Sequence, residues 1–395
     1  MVANNYEYIN NNYSIIVRVP RSDRPKLIIM THADHPGVIL KNNKEGLIMG
    51  SPGIERLKNI LSKKSLGLRI FSPTGKYLGK GRAISLEGKN GRLIRIKSHL
   101  SIPRNSFATY DVEYFQENDQ DIKVYNADNA VTQAILLTLL KEKHSSEFDL
   151  YIIFNLHEEV HQVSSWYHAK NNILDIRDSD FILNLECLKI ENVDPKKYGS
   201  ANYEDGVVLQ LSNTGCLFGY KSKKENLTEK LIRYASSTSN IGIQTGVIKD
   251  SCDSRPFSYF NLTPNIATLT IPNRYKHNRG EAGNIVAEQV YKKDINNCYE
   301  IIKTILKINP AKLTKMSNIE NVSYKIRQAD GVTDHQLMAH KAMLNERLDT
   351  YYKNVIKRGY FYAEKPFDLF IDYYSKILLY IIYLIQKVSK FSNIR

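Results

Sequence analysis

The sequence predicts an α/β protein: a mixed sheet flanked by helices, with an inserted small β-barrel domain and a helical C-terminal extension. Three observations carry this expectation. Continuous apolar runs of strand length occur at residues 25–31 (PKLIIMT), 150–156 (LYIIFNL), 181–185 (FILNL) and 266–271 (IATLTI), the pattern of strands covered on both faces. Between them stand segments with apolar residues at helical spacing, among them 130–143 (AVTQAILLTLLKEK) and 225–238 (ENLTEKLIRYASST). From about Val38 to Ile122 the character changes to short alternations (GLRIFS, RLIRIKS, ATYDVEYF) separated by Gly, Pro, Asn and Lys clusters, which predict short strands with frequent turns.

At 395 residues the chain can hold two or three domains, and the boundaries expected are 1–37 with 123–308 for the α/β unit, 38–122 for the insertion and 309–395 for the extension. Its 42% hydrophobic and 24% charged residues make it an ordinary globular composition. The start, MVANNYEYINNNYS, lacks the basic-then-apolar order of a signal peptide. Cys187, Cys216, Cys252 and Cys298 are scattered without the paired spacing of a zinc site or disulfide framework. A reduced, cytoplasmic protein is expected. The net charge of +14 is spread along the whole chain, which reads as a solvated basic surface; without an RNA-binding signature or a C-x-x-C finger, no nucleic-acid partner is expected.

Taken in order, the first apolar strand ends in His32-Ala33-Asp34-His35-Pro36-Gly37. In extended chain His32 and Asp34 point the same way, so Asp34 can hold the imidazole tautomer, or simply cap a turn. Asp128 stands at the start of the helix that follows the insertion, where a carboxylate is favoured by the dipole and free amides. The central strand ends abruptly in His157-Glu158-Glu159, and adjacent carboxylates are costly there unless a cation meets them. A helix is expected at 164–174 (SSWYHAKNNIL), then a strand closing in Glu186, a strand with a Gly turn at 207–220, a polar loop at Asp250–Arg255, a strand running into Pro272–Glu281, and a helix over 285–307. Near the end, Pro366 opens a helix containing the apolar run Ile377–Ile385. That run is far short of the ~20 residues that span a bilayer, so it reads as a docking or oligomer helix and no transmembrane segment is expected.

His32, Asp128, Glu159, Glu186 and His277 thus fall at strand ends or a helix start, the donor content of two divalent ions bridged by one carboxylate. Glu158, beside a ligand, is placed to take a proton from water and pass it to a leaving amine. The motifs His32-Ala33-Asp34 with Gly37, Ala127-Asp128-Asn129, His157-Glu158-Glu159-Val160 and Ile271-Pro272-Asn273-Arg274-Tyr275-Lys276-His277 with Glu281 resemble the dinuclear zinc aminopeptidases of the tetrahedral-particle type, the glutamyl and deblocking aminopeptidase family, over about residues 1–308. The resemblance implies a zinc aminopeptidase-like fold, a peptide or peptide-like substrate, a homo-oligomer, and two metal ions, zinc before cobalt or manganese. It assigns Asp128 as the bridge, Glu158 as the base, Glu159 and His277 to one ion, and His32 and Glu186 to the other. Glu186 stands where the family usually has Asp, and His157 and His161 where it has Gln and Gly.

Two other readings stand beside it. His157-Glu158-Glu159-Val160-His161 matches the single-zinc H-E-x-x-H motif, which requires both histidines on one helical face. An aminopeptidase-like scaffold could also be used for specialised metabolism or for binding. Arg255, Arg274, Lys276 and Arg279 are candidates to meet a substrate carboxylate, against the plainer reading of solvated loop cations. Cys187 and Cys252 are expected to be packing residues.

Overall fold

The computed structural model describes residues 6–322 except 12, 22, 51, 52, 89, 90, 161, 194–200, 214, 215, 219–223, 249, 317, 318 and 320. The helix expected after Pro366, with Ile377–Ile385, therefore lies outside the described residues, as does His161. In chain order come β1 (Glu7–Asn10), β2 (Ser14–Val19), β3 (Lys26–His32), β4 (Gly37–Leu40), β5 (Glu45–Met49), α1 (Ile54–Leu61), β6 (Leu66–Phe71), β7 (Tyr77–Glu87), β8 (Leu93–Lys97) and β9 (Phe107–Tyr110). Then follow β10 (Phe115–Glu117), β11 (Asp121–Val124), α2 (Ala127–Glu142), β12 (Asp149–Asn155), α3 (Val163–Asn171), β13 (Phe181–Leu188) and β14 (Val208–Gln210). The described elements continue with β15 (Ser212–Asn213), β16 (Cys216–Leu217), α4 (Leu227–Thr238), β17 (Gln244–Gly246), α5 (Ser254–Phe260), β18 (Ile266–Arg274), β19 (Glu288–Tyr291) and α6 (Lys292–Ile305).

An 11-stranded mixed sheet runs β1-β2-β12-β3-β13-β18-β19-β11-β10, with β14 and β17 joined beside β18. Its centre, β12-β3-β13-β18, is parallel throughout. The apolar runs explain this position. In β3, Leu27 and Ile29 enter one core with Val131 and Ile135 of α2, Leu231 of α4 and Ile301 of α6. Ile28 and Met30 enter the opposite core with Ala169 of α3 and Phe257 of α5. Alternate side chains of one strand thus meet helices on both faces, which is why its sequence is continuously apolar. All four carboxyl ends consequently open on one edge, where ligands collect in such sheets.

Between β3 and the return to the sheet, β4-β5-β8-β7-β6-β9 close a barrel. Its strands alternate, as in β8, where Ile94 and Ile96 are buried and Arg95 and Lys97 are exposed, and the inward set packs against Leu57 of α1. Gly46 lies at a close approach: a Cβ there would stand 2.5 Å from Val38 Cγ1 and 2.9 Å from the Ile39 carbonyl oxygen.

The structure corrects several boundaries. The helix expected over 285–307 is two elements, because Glu288–Tyr291 are all buried and pair with β11 and β18 before α6 begins at Lys292. The expected polar loop Asp250–Arg255 runs into α5 at Ser254. The helix expected at 164–174 stops at Asn171, where Asn172 takes a left-handed cap. The hairpin of β1 and β2, hidden by its Asn-rich turn, is held by Asn11 Oδ1, which accepts from the amides of Tyr13 and Ser14. Residues 115–124 pair onto the large sheet through β19, and not into the barrel. Among the described residues no helix is long and apolar enough to cross a membrane.

Candidate metal centre

Each acidic or imidazole group expected at the centre reaches it from a different element. His32 is the last residue of β3 and is buried. Its Nδ1 lies 2.9 Å from the Asp34 carbonyl oxygen. A carbonyl can only accept, so Nδ1 carries a proton. Nε2 faces Glu186 Oε1 at 3.2 Å and Asp128 Oδ1 at 3.3 Å. Burial disfavours the charged ring, but Glu186, Asp128 and Asp34 outweigh it and hold the imidazole well above its ordinary value, so these carboxylates draw a cation to Nε2, a proton or a metal ion in its place.

Asp34, whose carbonyl fixes the His32 ring, also acts through its carboxylate. Its carboxylate is 3.6 Å from the ring nitrogen, while Oδ1 accepts the Glu158 amide at 2.9 Å and Oδ2 the Glu159 amide at 3.0 Å. It pins the turn after β12 in place. Burial opposes its charge, but the His32 imidazole and these donors hold the carboxyl below its ordinary range.

Asp128 enters from the first turn of α2, fully buried. Oδ1 faces His32; Oδ2 lies 3.3 Å from His277 Nε2 and 3.2 Å from Lys276 Nζ. Burial disfavours the anion, but the lysine and the two imidazoles outweigh it and hold the carboxyl well below the usual range. His277 Nε2 also lies 3.1 Å from Glu159 Oε1. The ligand atoms of His32, Asp128 and Glu159 all lie within 4.8 Å of one another. Among the described residues no hydrogen bond of regular geometry reaches either Asp128 oxygen, Glu159 Oε1 or Glu186 Oε2, all of them buried. Buried carboxylate oxygens converging on imidazole nitrogens fit divalent-ion ligation. The five expected donors are therefore brought together.

Two groups that the sequence reading missed complete the shell. Glu288 of β19 is fully buried. Its Oε2 accepts the Asp128 amide at 2.7 Å and Asn273 Nδ2 at 3.1 Å, and its Oε1 accepts the His277 amide at 2.5 Å. One carboxylate thus fixes the backbone beneath two donors. A lone Glu within the apolar stretch IVAEQVY was the available signal, since a buried acid needs partners. Gln162 donates from Nε2 to Glu158 Oε1 at 3.2 Å. The turn carrying His277 is left-handed at Tyr275 (φ 70°), His277 (φ 57°) and Asn278 (φ 59°). Such strain persists only where the surroundings enforce it, and here Asn278 Nδ2 donates to the carbonyls of Tyr125 and Val286.

Lys276 is not the solvated cation expected of a loop: its side chain is 10% exposed. Arg274 lies over the Tyr203 ring, 5.1 Å from its centroid, and Arg255 donates to Ser251 Oγ at 3.3 Å. Residues 157–160 are a turn, not a helix, so His157 lacks the helical setting of the single-zinc motif. Its Nδ1 instead lies 3.2 Å from Ser164 Oγ, and burial pushes its pKa down. Cys187 and Cys252 are buried, and burial raises both thiols.

Solved structures of 13–16% identity share this fold. A TET aminopeptidase from a marine-sediment Thaumarchaeota archaeon superposes with TM-score 0.60 at 13% identity, covering 79% of this chain and 90% of its own. The aminopeptidase of Desulfurococcus kamchatkensis gives 0.58 at 16%, covering 77% and 86%. The TET1 peptidase of Pyrococcus horikoshii gives 0.57 at 15%, covering 77% and 90%. A comparison with curated proteins finds no match. The family model of the M42 glutamyl aminopeptidases matches residues 97–300, just over half of the chain. The chain belongs to that family, and is a metal-dependent aminopeptidase.

Proposed function

We propose that the chain hydrolyses the N-terminal amide bond of peptides or small peptide-like molecules, with Glu158 as general base at a centre built on Asp128. Two cation positions share that carboxylate, one beside Glu159 and His277, the other beside His32 and Glu186. The resemblance implies divalent ions at these positions, zinc before cobalt or manganese. A divalent ion there supplies the Lewis acid that acidifies water and polarises the scissile carbonyl.

The observation that carries this reading is the meeting of buried carboxylate oxygens and imidazole nitrogens at the sheet edge, with Glu158 fixed beside them. Burial first, then Glu186, Glu159 and Asp253, push the Glu158 carboxyl well above its ordinary value, against the pull of His32. A carboxylate so raised is a stronger base near neutral pH. Asp34 holds its amide and Gln162 holds Oε1, so Oε2 is the atom assigned to take the water proton and deliver it to the departing amine. The barrel formed by β4 to β9, within the insertion expected over 38–122, shapes access to this edge. The Pyrococcus horikoshii relative can assemble into a tetrahedron or an octahedral shell, which supports a homo-oligomer here.

Glu158→Gln tests the assignment. The variant keeps its metal content and melting temperature while hydrolysis of aminoacyl amides falls by a factor of about 10²–10⁴. Undiminished turnover with metal bound removes Glu158 from the mechanism.

A further inference from the structure

The centre already contains one cation. Lys276 Nζ donates to the Cys187 carbonyl oxygen at 2.8 Å and to Glu186 Oε1 at 3.4 Å, and lies 3.2 Å from Asp128 Oδ2. An ammonium has three protons to donate, and three acceptors surround this one. Two of them are carboxylate oxygens of the expected centre: Glu186 Oε1, which also faces His32, and Asp128 Oδ2, which also faces His277. A compact ammonium and a divalent ion drawing on the same two buried carboxylates repel each other at close range.

The charges point the same way. Lys276 already places one fixed positive charge against Asp128 and Glu186, so a divalent ion at the same carboxylates meets less unbalanced negative charge than it would without the lysine. The ligand atoms of His32, Asp128 and Glu159 lie within 4.8 Å of one another, close enough for a single ion to draw on all three.

We infer that Lys276 takes the place of the second divalent ion, so that the centre binds one ion, drawn from His32, Asp128, Glu159 and His277, while the lysine holds Glu186. This rests on the metal-centre reading proposed above and changes the occupant of one position. Lys276 is a positioning residue: it fixes Glu186 and one oxygen of Asp128, leaving the remaining donors to a single ion.

The test is metal stoichiometry in the full-length chain, with zinc counted by elemental analysis and manganese(II) read by electron paramagnetic resonance. The wild type is expected to hold one zinc per chain and to give the hyperfine pattern of an isolated manganese ion. Lys276→Met, which removes the charge at similar volume, is expected to hold two zinc ions and to give an exchange-coupled manganese spectrum. Two ions with a coupled spectrum in the wild type overturn the inference and leave the aminopeptidase reading standing, as does a folded Lys276→Met that still holds one. If Lys276→Met does not fold, the wild-type count and spectrum decide alone. No ion in the wild type, together with no hydrolysis of aminoacyl amides, overturns the metal centre itself.

Discussion

Replacing Glu288 with Gln tests whether the backbone beneath the centre, and not only the donors themselves, sets metal affinity. The perturbation is nearly isosteric, yet it turns one of two acceptor oxygens into a donor. Glu288 Oε2 serves both the Asp128 amide and Asn273 Nδ2, whereas Oε1 serves the His277 amide alone. The amide oxygen of Gln therefore belongs on the Oε2 side, and its NH₂ faces the buried His277 N–H. A hydrogen bond to a charged acceptor contributes about 1.5–3 kcal/mol, and a stranded buried donor costs about 1–3 kcal/mol. The variant should lose about 2–4 kcal/mol of stability, several degrees in melting temperature for a chain of this size. Because the loosened segment carries His277, metal affinity should also fall about 10–100-fold. Chelator competition measures the affinity and thermal unfolding of the chelated protein measures the stability. If both match the wild type, Glu288 does not hold the centre.

Further outcomes follow from the same geometry. Asp128→Ala and His277→Ala should each lose bound metal and turnover, whereas His161→Ala should keep both, since the turn at 157–160 gives the H-E-x-x-H reading no helical face; metal loss on His161→Ala would restore that reading. His168, buried against Ser14 Oγ at 2.8 Å, is pushed by burial from the usual 6.5 to about 4. The unfolded chain then takes up a proton before the folded one does, so this contribution is present above pH 6.5 and is lost as pH falls toward about 4. Its size is on the order of 3 kcal/mol. Urea midpoints should fall less steeply with acid in His168→Gln than in the wild type; parallel curves would refute the assignment.

The donors were legible because sheet topology converts sequence position into spatial position. An apolar run such as FILNL followed by Glu186 reads as a buried strand that carries an acid toward its carboxyl end, although β13 runs on to Leu188. Four such strands lying parallel bring their ends together, as their pairing confirms. Asp128 was legible as a residue at a helix start. The partners of these donors were not, because no local rule links Asp34 to the amides of Glu158 and Glu159, 124 and 125 residues away. Glu288 was hidden more thoroughly. Its segment continues into α6, and the apolar spacing of IVAEQVYKK reads as the start of that helix; only pairing with β11 and β18 makes it a strand.

Lys276 shows why residue type alone misleads at such a site. A lysine in a loop bounded by Arg274 and Arg279 is most simply a solvated cation, because burying an ammonium costs more than loop residues usually recover. Here the cost is offset by carboxylates that must be balanced whether or not the lysine is present. Burial lowers the tendency of Lys276 to hold its proton, but Asp128 and Glu186 raise it further, and the net effect lies well above the ordinary lysine value. Glu159 first and Asp128 next likewise hold the His277 imidazole up at about 10 despite its burial. What draws these cations inward is the excess of acid at one sheet edge, and each cation that arrives reduces what remains for a metal ion. The number of ions such a centre binds is thus set by the whole charge of the cluster and cannot be read from a count of ligand residues.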